Sequence, residues 1–183
     1  MRSVDAAGDE AAGPRTPRVD TEIGQDARPI PPRESAESAS AGRENAYAGE
    51  QIQWVVPAGW VQRPASGMRY ATLVPPGGPE VTVTRLSGDG GGILANLNRW
   101  RGQVFLPPIT AEQLLQQTQN ISLGGVTAVR VDVVGPQGRI LGAMLPAPSG
   151  QTWFFKAQTT TPEAMDAIVS DFDRFLQTVR LVP

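Results

Sequence analysis

The sequence predicts an α+β domain in which an antiparallel β-sheet is sandwiched by helices, preceded by a disordered N-terminal tail. Two observations predict this architecture. Strand-like segments follow one another across short turns rich in glycine and proline, which favours antiparallel neighbours. Two further segments carry apolar residues at helical spacing on one side only, so each needs a sheet face to pack on. Alternating β-α-β units are lacking, which argues against a doubly wound nucleotide-binding fold.

The tail is predicted from composition. Residues 1–48 are rich in Ala, Ser, Gly and Pro and contain few large apolar side chains. Such a segment buries too little apolar surface to offset a loss of chain entropy of about 1–2 kcal/mol per residue. We therefore expect a disordered tail or tether over residues 1–48 and one folded domain over residues 49–183. A segment that folds on binding a partner is the alternative for the tail.

The first half of the domain is predicted to contain strands followed by two helices. Residues 81–86 alternate with β-branched side chains, which is typical of a strand. Thr110 has Gln113 three residues later, the spacing of a capping box, and this predicts a short helix to about residue 116. The longer helix spans 93–104, because one apolar stripe is formed by Ile93, Leu97, Trp100 and Val104. The other strands predicted in this half are residues 52–56, 60–61 and 68–74.

The second half is predicted as a series of strands closed by one helix. The turn at Gly124 and Gly125 separates a strand around Ile121 from one over 126–134, and strands over 139–145 and 151–159 form a hairpin. The run Trp153-Phe154-Phe155 places apolar side chains on both faces of its strand, which is typical of a central strand covered by helices. A single amphipathic helix is predicted from Pro162 onward, with an apolar side formed by Met165, Ile168, Val169, Phe172, Phe175 and Leu176.

Composition excludes several kinds of chemistry. The chain has no Cys and no His, so disulfides, zinc sites with thiolate or imidazole ligands, and Cys or Ser–His nucleophiles are excluded. We expect no metal, no cofactor and no catalytic residue. The protein is therefore predicted not to be an enzyme, and the catalytic alternative is an enzyme that uses only carboxylates and arginines.

Charge and hydropathy limit the partners and the location. A formal net charge of −2 creates no broad field for nucleic acid. No stretch approaches the roughly 18 apolar residues of a membrane span, and no apolar core of a signal peptide follows Met1. We expect a protein without a membrane span and without an address of its own. A periplasmic or envelope location is the alternative if the true start lies upstream.

A glycine-rich loop lies between the predicted strand 81–86 and the predicted helix 93–104, in the stretch "LSGDGGGILANLNRWRGQ". Both common phosphate-binding motifs fail there, because the position that each requires to be glycine is Ile93, and no Lys or Ser/Thr follows. We expect a tight strand-to-helix corner in which Asp89 acts as a cap. The alternative is a small-ligand or anion site on the backbone N–H groups of the loop, whose candidate residues are Gly88, Gly90, Gly91 and Gly92.

A belt of polar residues surrounds Trp100 on the predicted helix. Arginine is enriched at protein interfaces and tryptophan is a common anchor there, which favours a recognition surface. The candidate interaction surface consists of Asn98, Arg99, Arg101 and Gln103. The alternative is structural: Trp100 belongs to the core, and the arginines bind nearby acids or carbonyl groups.

Several strings in the domain resemble known proteins. "IQWVVPAGW" resembles the opening strand and Pro-x-Gly-Trp turn of the PsbP-like and Mog-like fold, and the order of elements that follows is similar. "SGMRYATL", "GDGGGILANLNRWRGQ" and "TWFFK" resemble uncharacterised bacterial envelope proteins or lipoproteins of planctomycete type. The resemblance implies an antiparallel sheet between helices without a catalytic centre. It also implies a domain that acts by binding a partner protein, as the better-known relatives bind a photosystem or a small GTPase.

Overall fold

A computed structural model describes residues 51–182. The predicted tail and its boundary near residue 48 lie outside the described residues. The strands are β1 Gln51–Gln53, β2 Val61–Arg63, β3 Arg69–Val74, β4 Val81–Ser87, β5 Gln119–Leu123, β6 Val126–Gly135, β7 Gly138–Pro146, β8 Gln151–Thr159 and β9 Arg180–Val182. The helices are α1 Gly92–Gln103, α2 Ala111–Gln117 and α3 Val169–Thr178, and a 3-10 turn spans Pro162–Met165.

One antiparallel sheet organises the domain. Its seven strands have the order β2-β3-β4-β8-β7-β6-β5, and β1 pairs with β9 in a separate two-stranded sheet. The central strand is β8, as the apolar run on both of its faces predicts: Trp153 and Phe155 are buried on one face and Phe154 on the other. Helix α3 covers the first face and helices α1 and α2 cover part of the second. The predicted α+β architecture is confirmed.

Helix α3 packs on the sheet through aromatic side chains. It buries Phe172, Phe175 and Leu176, as its apolar spacing predicts. The ring of Phe175 contacts Trp60 and Phe155, with centroid distances of 6.4 and 5.8 Å. Burying each such ring stabilises the fold by about 1.5–3 kcal/mol relative to leaving it in water, so this layer supplies much of the core.

Ion pairs connect β6 and β7 to each other and to the C-terminal segment that covers this face of the sheet. Arg130 on β6 donates to both carboxylate oxygens of Asp173 on α3, at 2.8 and 3.1 Å. Arg139 on β7 donates to both oxygens of Asp132, at 2.7 and 2.8 Å, and to Asp166 at 2.6 Å. The hydrogen bonds with Asp132 raise the pKa of Arg139 above its ordinary value. Bidentate pairs of this kind fix orientation as well as adding stability.

Helix α1 packs on the opposite face through one close contact. Trp100 lies over Gly142 of β7, where a Cβ atom would be 2.4 Å from Trp100 Cζ3. Leu97 and Val104 are fully buried on the same side of the helix. Only glycine at position 142 leaves room for the indole ring, so this position sets how closely α1 approaches the sheet.

The C-terminal helix begins later than predicted. The chain forms a 3-10 turn over Pro162–Met165, and the α-helix spans only Val169–Thr178. The N–H groups of Asp166 and Ile168 donate to carbonyl groups three residues earlier, at 3.1 and 2.9 Å. Because Met165 and Ile168 are themselves three residues apart, the tighter 3-10 period keeps both side chains buried. The apolar pattern therefore does not distinguish between the two helices.

The first strand is shorter than the predicted 52–56. After Gln53 the hydrogen bonds of the chain are made with side chains. Trp54 Nε1 donates to Gln62 Oε1 at 2.9 Å, and the N–H of Val55 donates to Thr178 Oγ1 at 3.0 Å. Its strand partner, β9, was not among the predicted elements.

The Trp100–Gly142 contact can be tested by adding one methyl group. We expect Gly142→Ala to lower the free energy of unfolding by about 1–3 kcal/mol, because the indole ring has to move. Gly102→Ala, in the same helix as Trp100 and with no neighbouring atom within 4 Å, is the control. It should leave stability unchanged or raise it by about 0.5–1 kcal/mol. Urea unfolding followed by tryptophan fluorescence measures both, and equal stability of the two variants would contradict the close-contact account.

Candidate interaction surface

The glycine loop before α1 forms the predicted corner, but the N-cap residue of the helix is Gly91 and not Asp89. Gly88, Gly90, Gly91 and Gly92 all have positive φ angles, a conformation that side chains with a Cβ rarely adopt. The carboxylate of Asp89 accepts the N–H of Gly91 at 2.8 Å, and its carbonyl oxygen accepts the N–H of Gly92 at 2.9 Å. The N–H groups of Gly91 and Gly92, which an anion would need as donors, are thus already hydrogen-bonded to Asp89.

Two of the four candidate surface residues hold the segment that follows α1. The side-chain amide of Asn98 donates to the carbonyl oxygen of Ile109 at 3.0 Å and accepts its N–H at 2.8 Å. Arg101 Nε donates to the carbonyl oxygen of Pro107 at 2.9 Å, and the residue is 9% exposed. Arg101 is therefore not presented to a partner, which agrees with the structural alternative. Asn98 and Arg101 clamp residues 105–109 against the helix.

The other two candidates, Arg99 and Gln103, are exposed. They lie four residues apart and so share one side of α1. Arg99 Nη1 donates to Asn96 Oδ1 at 2.5 Å. Gln103 Oε1 accepts a hydrogen bond from Lys156 Nζ on β8. The exposed side of α1 therefore lies next to β8. Spacing in the sequence did not predict this contact between Gln103 and Lys156.

Beyond this border the sheet face is not covered by α1, and its residues are polar. Partners across the strands share a face, so Thr72, Thr82 and Lys156 lie side by side on β3, β4 and β8. We call this region the open sheet face; it consists of Thr82, Thr84, Lys156 and Gln158, and the buried Thr72 lies at its edge. A cavity of about 320 Å³ lies over it and is lined by Arg69, Glu80, Thr82, Lys156 and Gln158.

Lys156 is the one lysine of the chain, and it is half-buried on the open sheet face. Its ammonium group donates to Gln103 and, at 2.8 Å, to Gln158, and it lies 5.8 Å from the centroid of the Trp100 ring. It takes part in none of the ion pairs formed among residues 51–182. Burial disfavours the charged form and lowers the pKa of Lys156 to about 8. The ammonium group of Lys156 could therefore pair with a carboxylate of another molecule.

The most unusual backbone in the surface belongs to Phe105. Its φ of 61° makes it the one residue other than glycine with a positive φ in the described part of the chain. The N–H of Leu106 donates to Arg101 O at 2.9 Å and that of Phe105 to Gly102 O at 3.2 Å, which together form a Schellman motif. Glycine usually occupies this position, yet here a phenylalanine does, and it is 63% exposed.

Sequence reasoning missed Phe105. The only signal was the absence of a glycine after the helix, where "GQVFLPP" continues to two prolines. The prolines show that the helix ends, but they do not show which residue adopts the left-handed conformation. The exposure of the ring depends on how the following segment is clamped to α1.

Residues 51–182 contain neither a candidate metal site nor a candidate membrane-spanning helix. No group of three or more acidic side chains there is arranged to hold a metal ion. None of the helices in this part of the chain has the length and apolar character required to cross a membrane.

No protein-family model matches the chain, and no curated protein matches it. Among solved structures it is similar to LpqN of Mycobacterium tuberculosis, described as involved in cell envelope biogenesis, at 16% identity and a TM-score of 0.45 over 74% of this chain and 85% of that chain. It is also similar to the cyanobacterial PsbP protein (CyanoP) of Synechocystis sp. PCC 6803, at 14% identity and a TM-score of 0.44 over 79% of this chain and 99% of that chain. A third, a protein of unknown function from Pseudomonas aeruginosa, has 18% identity and a TM-score of 0.36 over 76% of this chain and 87% of that chain. All three likenesses are distant.

The half-buried position of Lys156 predicts a pH dependence. Its pKa of about 8 in the folded protein lies below the ordinary value of 10.5, so the unfolded chain binds this proton more tightly. The contribution of Lys156 to the free energy of unfolding therefore increases as the pH rises from about 8 to 10.5, and is lowest below pH 8. Reductive ¹³C-methylation labels the single lysine side chain, and NMR titration should give a midpoint near 8 in native protein. The same resonance in denaturing urea is the control, and an equal midpoint in both states would contradict the prediction.

The different roles of Arg101 and Arg99 predict different effects on stability. We expect Arg101→Ala to lower the free energy of unfolding by about 1.5–3 kcal/mol, because a buried charged hydrogen bond to Pro107 is lost. Arg99→Ala should change it by less than about 0.5 kcal/mol, since that side chain is exposed. Thermal and urea unfolding measure both variants, and similar losses would show that Arg101 is not a clamp.

Proposed function

We propose that this is a non-catalytic accessory domain that binds a partner protein, and that Phe105 is the anchor of the contact. The proposed contact, the Phe105 surface, consists of Arg99, Gln103, Phe105 and Lys156. The observation that carries the proposal is the exposed phenylalanine held in a left-handed backbone conformation at the end of α1.

Folding stability does not account for a phenylalanine at this position. A residue with a Cβ atom in the left-handed conformation costs about 1–2 kcal/mol relative to the ordinary helical one, and glycine avoids most of this cost. Because the ring is exposed, its burial contributes little free energy to offset this cost. A strained conformation that stability does not require is typical of functional sites, where the surrounding structure holds it.

The surroundings of Phe105 hold its backbone in a defined conformation. Asn98 and Arg101 bind the backbone of Ile109 and Pro107, so that both ends of the segment are attached to α1. A backbone segment that is already held loses little conformational entropy when a partner binds it. Aromatic side chains presented in this manner are common hot spots of protein interfaces.

The charges on the exposed side of α1 and next to Gln103 favour an acidic partner. Arg99 and Gln103 lie on the exposed side of α1, and Lys156 lies next to Gln103 without an ion-pair partner among the described residues. A carboxylate on the partner would further favour the charged form of Lys156, whose pKa burial has lowered. We therefore infer a partner with an apolar pocket for Phe105 and acidic side chains at its rim.

An anion site on the glycine loop stays the alternative function. The hydrogen bonds between Asp89 and the N–H groups of Gly91 and Gly92 do not favour it, since a second negative charge there would be repelled. An envelope location, with residues 1–48 as a tether, likewise remains a prediction from sequence.

Replacing Phe105 with glycine separates function from stability. We expect Phe105→Gly to leave the free energy of unfolding unchanged or to raise it by about 1 kcal/mol, because strain is released. The same variant should lose most of its partner in a quantitative pull-down from an extract of the native cells, since the anchor is gone. Urea unfolding and mass spectrometry of the captured proteins measure the two effects.

Leu115→Ala is the matched control for this experiment. Leu115 is an exposed apolar residue, 78% exposed, in α2 and without backbone strain. Its variant should recover the same partner as the unmodified chain. If Phe105→Gly recovers the partner equally well, Phe105 is not a binding anchor. A strong loss of stability in this variant would contradict the account of backbone strain.

A further inference from the structure

Lys156, the one lysine of the chain, lines the cavity of about 320 Å³ on the open sheet face. Two features distinguish it from an ordinary surface lysine. Its side chain is half-buried, and its ammonium group lies in no ion pair among residues 51–182. The charged form of this amine is therefore less favourable than that of a lysine in water.

The groups that contact the Lys156 amine are all neutral. Gln103 Oε1 and Gln158 Oε1 accept hydrogen bonds from Nζ, the second at 2.8 Å, and the centroid of the Trp100 ring lies 5.8 Å away. Amide oxygens stabilise an ammonium group less than a carboxylate does. The two N–H groups of the neutral amine can donate to the same two oxygens, so these contacts hold Nζ in place in either protonation state.

The acidic residue that lines the cavity is engaged elsewhere. Glu80 Oε1 lies 2.6 Å from Arg63 Nη1, and Glu80 Oε2 lies 4.0 Å from Arg69 Nη1. Glu80 is therefore paired with arginines of β2 and β3 and forms no ion pair with Lys156. Because burial is not offset by a carboxylate, the pKa of Lys156 falls to about 8.

This environment makes Lys156 a nucleophile near neutral pH. With a pKa of about 8, about a quarter of the amine is neutral at pH 7.5, whereas a lysine with the ordinary pKa of 10.5 is neutral in about one molecule in a thousand. Desolvation activates lysine nucleophiles in proteins in this way. Acylation converts the amine to an amide without charge, and so removes the charged form that burial disfavours.

We propose that Lys156 is a site of acylation by small acyl phosphates. The Nζ lone pair attacks the acyl carbon and forms the N–C bond. The C–O bond to the phosphate group breaks, its electron pair leaves with the phosphate, and one amine proton passes to the released phosphate. The cavity beside Lys156 has room for a short acyl group, and its volume favours a donor with a small leaving group. The remaining N–H can donate to Gln158.

Acylation of Lys156 is a property of the chain itself and goes beyond the proposed function. Its effect on the Phe105 surface, by contrast, rests on that function. An acylated Lys156 has no positive charge, so an acidic partner would lose one of the groups with which it pairs.

Acetyl phosphate is the probe, and Leu115→Lys supplies a reference lysine within the same molecule. Leu115 is 78% exposed on α2. At pH 7.5 and partial reaction, mass spectrometry of chymotryptic peptides compares acetylation at the two positions. We expect Lys156 to react at least about tenfold faster, because its larger neutral fraction outweighs the lower nucleophilicity that accompanies a lower pKa. In guanidinium chloride the two rates should become similar.

Gln158→Glu tests the role of the surroundings with a nearly isosteric change. It places a carboxylate where an amide oxygen lies 2.8 Å from Nζ, which favours the ammonium form. Acetylation of Lys156 should slow about tenfold. Gln177→Glu, the same change at an exposed position of α3 on the other side of the sheet, should react like the unmodified chain. Urea unfolding shows whether both variants are folded.

Two outcomes would overturn the proposal. One is acetylation of Lys156 in the folded chain no faster than that of the lysine introduced by Leu115→Lys. The other is an equal rate at Lys156 in folded Gln158→Glu and Gln177→Glu. Neither outcome bears on the proposed function, since acetylation is measured on the purified chain and the Phe105 surface is tested by capture of a protein.

Discussion

The domain depends on β8, the central strand whose apolar side chains point to both faces of the sheet. Trp153 and Phe155 require one cover and Phe154 requires another, so helices must pack on both sides. Helix α3 covers the first face. Helix α1 has 12 residues and is about 18 Å long, so it covers only part of the second, where Trp100 fits over Gly142. The polar threonines and Lys156 on the remaining part form the open sheet face.

The Phe105 surface follows from this arrangement, because β8 contributes Lys156 to it. The side chain of Lys156 reaches the open sheet face beside Gln103. The contact of Trp100 with Gly142 fixes α1, and hence the end of the helix at which Phe105 is held.

Much of the fold could be predicted because it depends on local period and turn chemistry. The alternation of Val129, Val131 and Val133 with Arg130 and Asp132 matches the faces that the structure shows. Thr110 and Gln113 form the predicted capping interaction, with the Thr110 N–H 3.0 Å from Gln113 Oε1. The 3-10 turn before α3 was missed because Met165 and Ile168 satisfy both helical periods. The candidate surface was located on the correct helix, but spacing alone did not separate the buried Arg101 from the exposed Arg99.

The sequence by itself determined the α+β class, the central position of the Trp-Phe-Phe strand and the corner made by the glycine loop. Each of these follows from the conformational preferences of consecutive residues. Tertiary structure alone decided that Asn98 and Arg101 face inward, that Phe105 adopts a left-handed conformation, and that Lys156 lies beside Gln103. These depend on distances between segments far apart in the chain, such as the clamp between α1 and Ile109. No local preference contains that information, because the partner of each side chain is specified only when the layers pack.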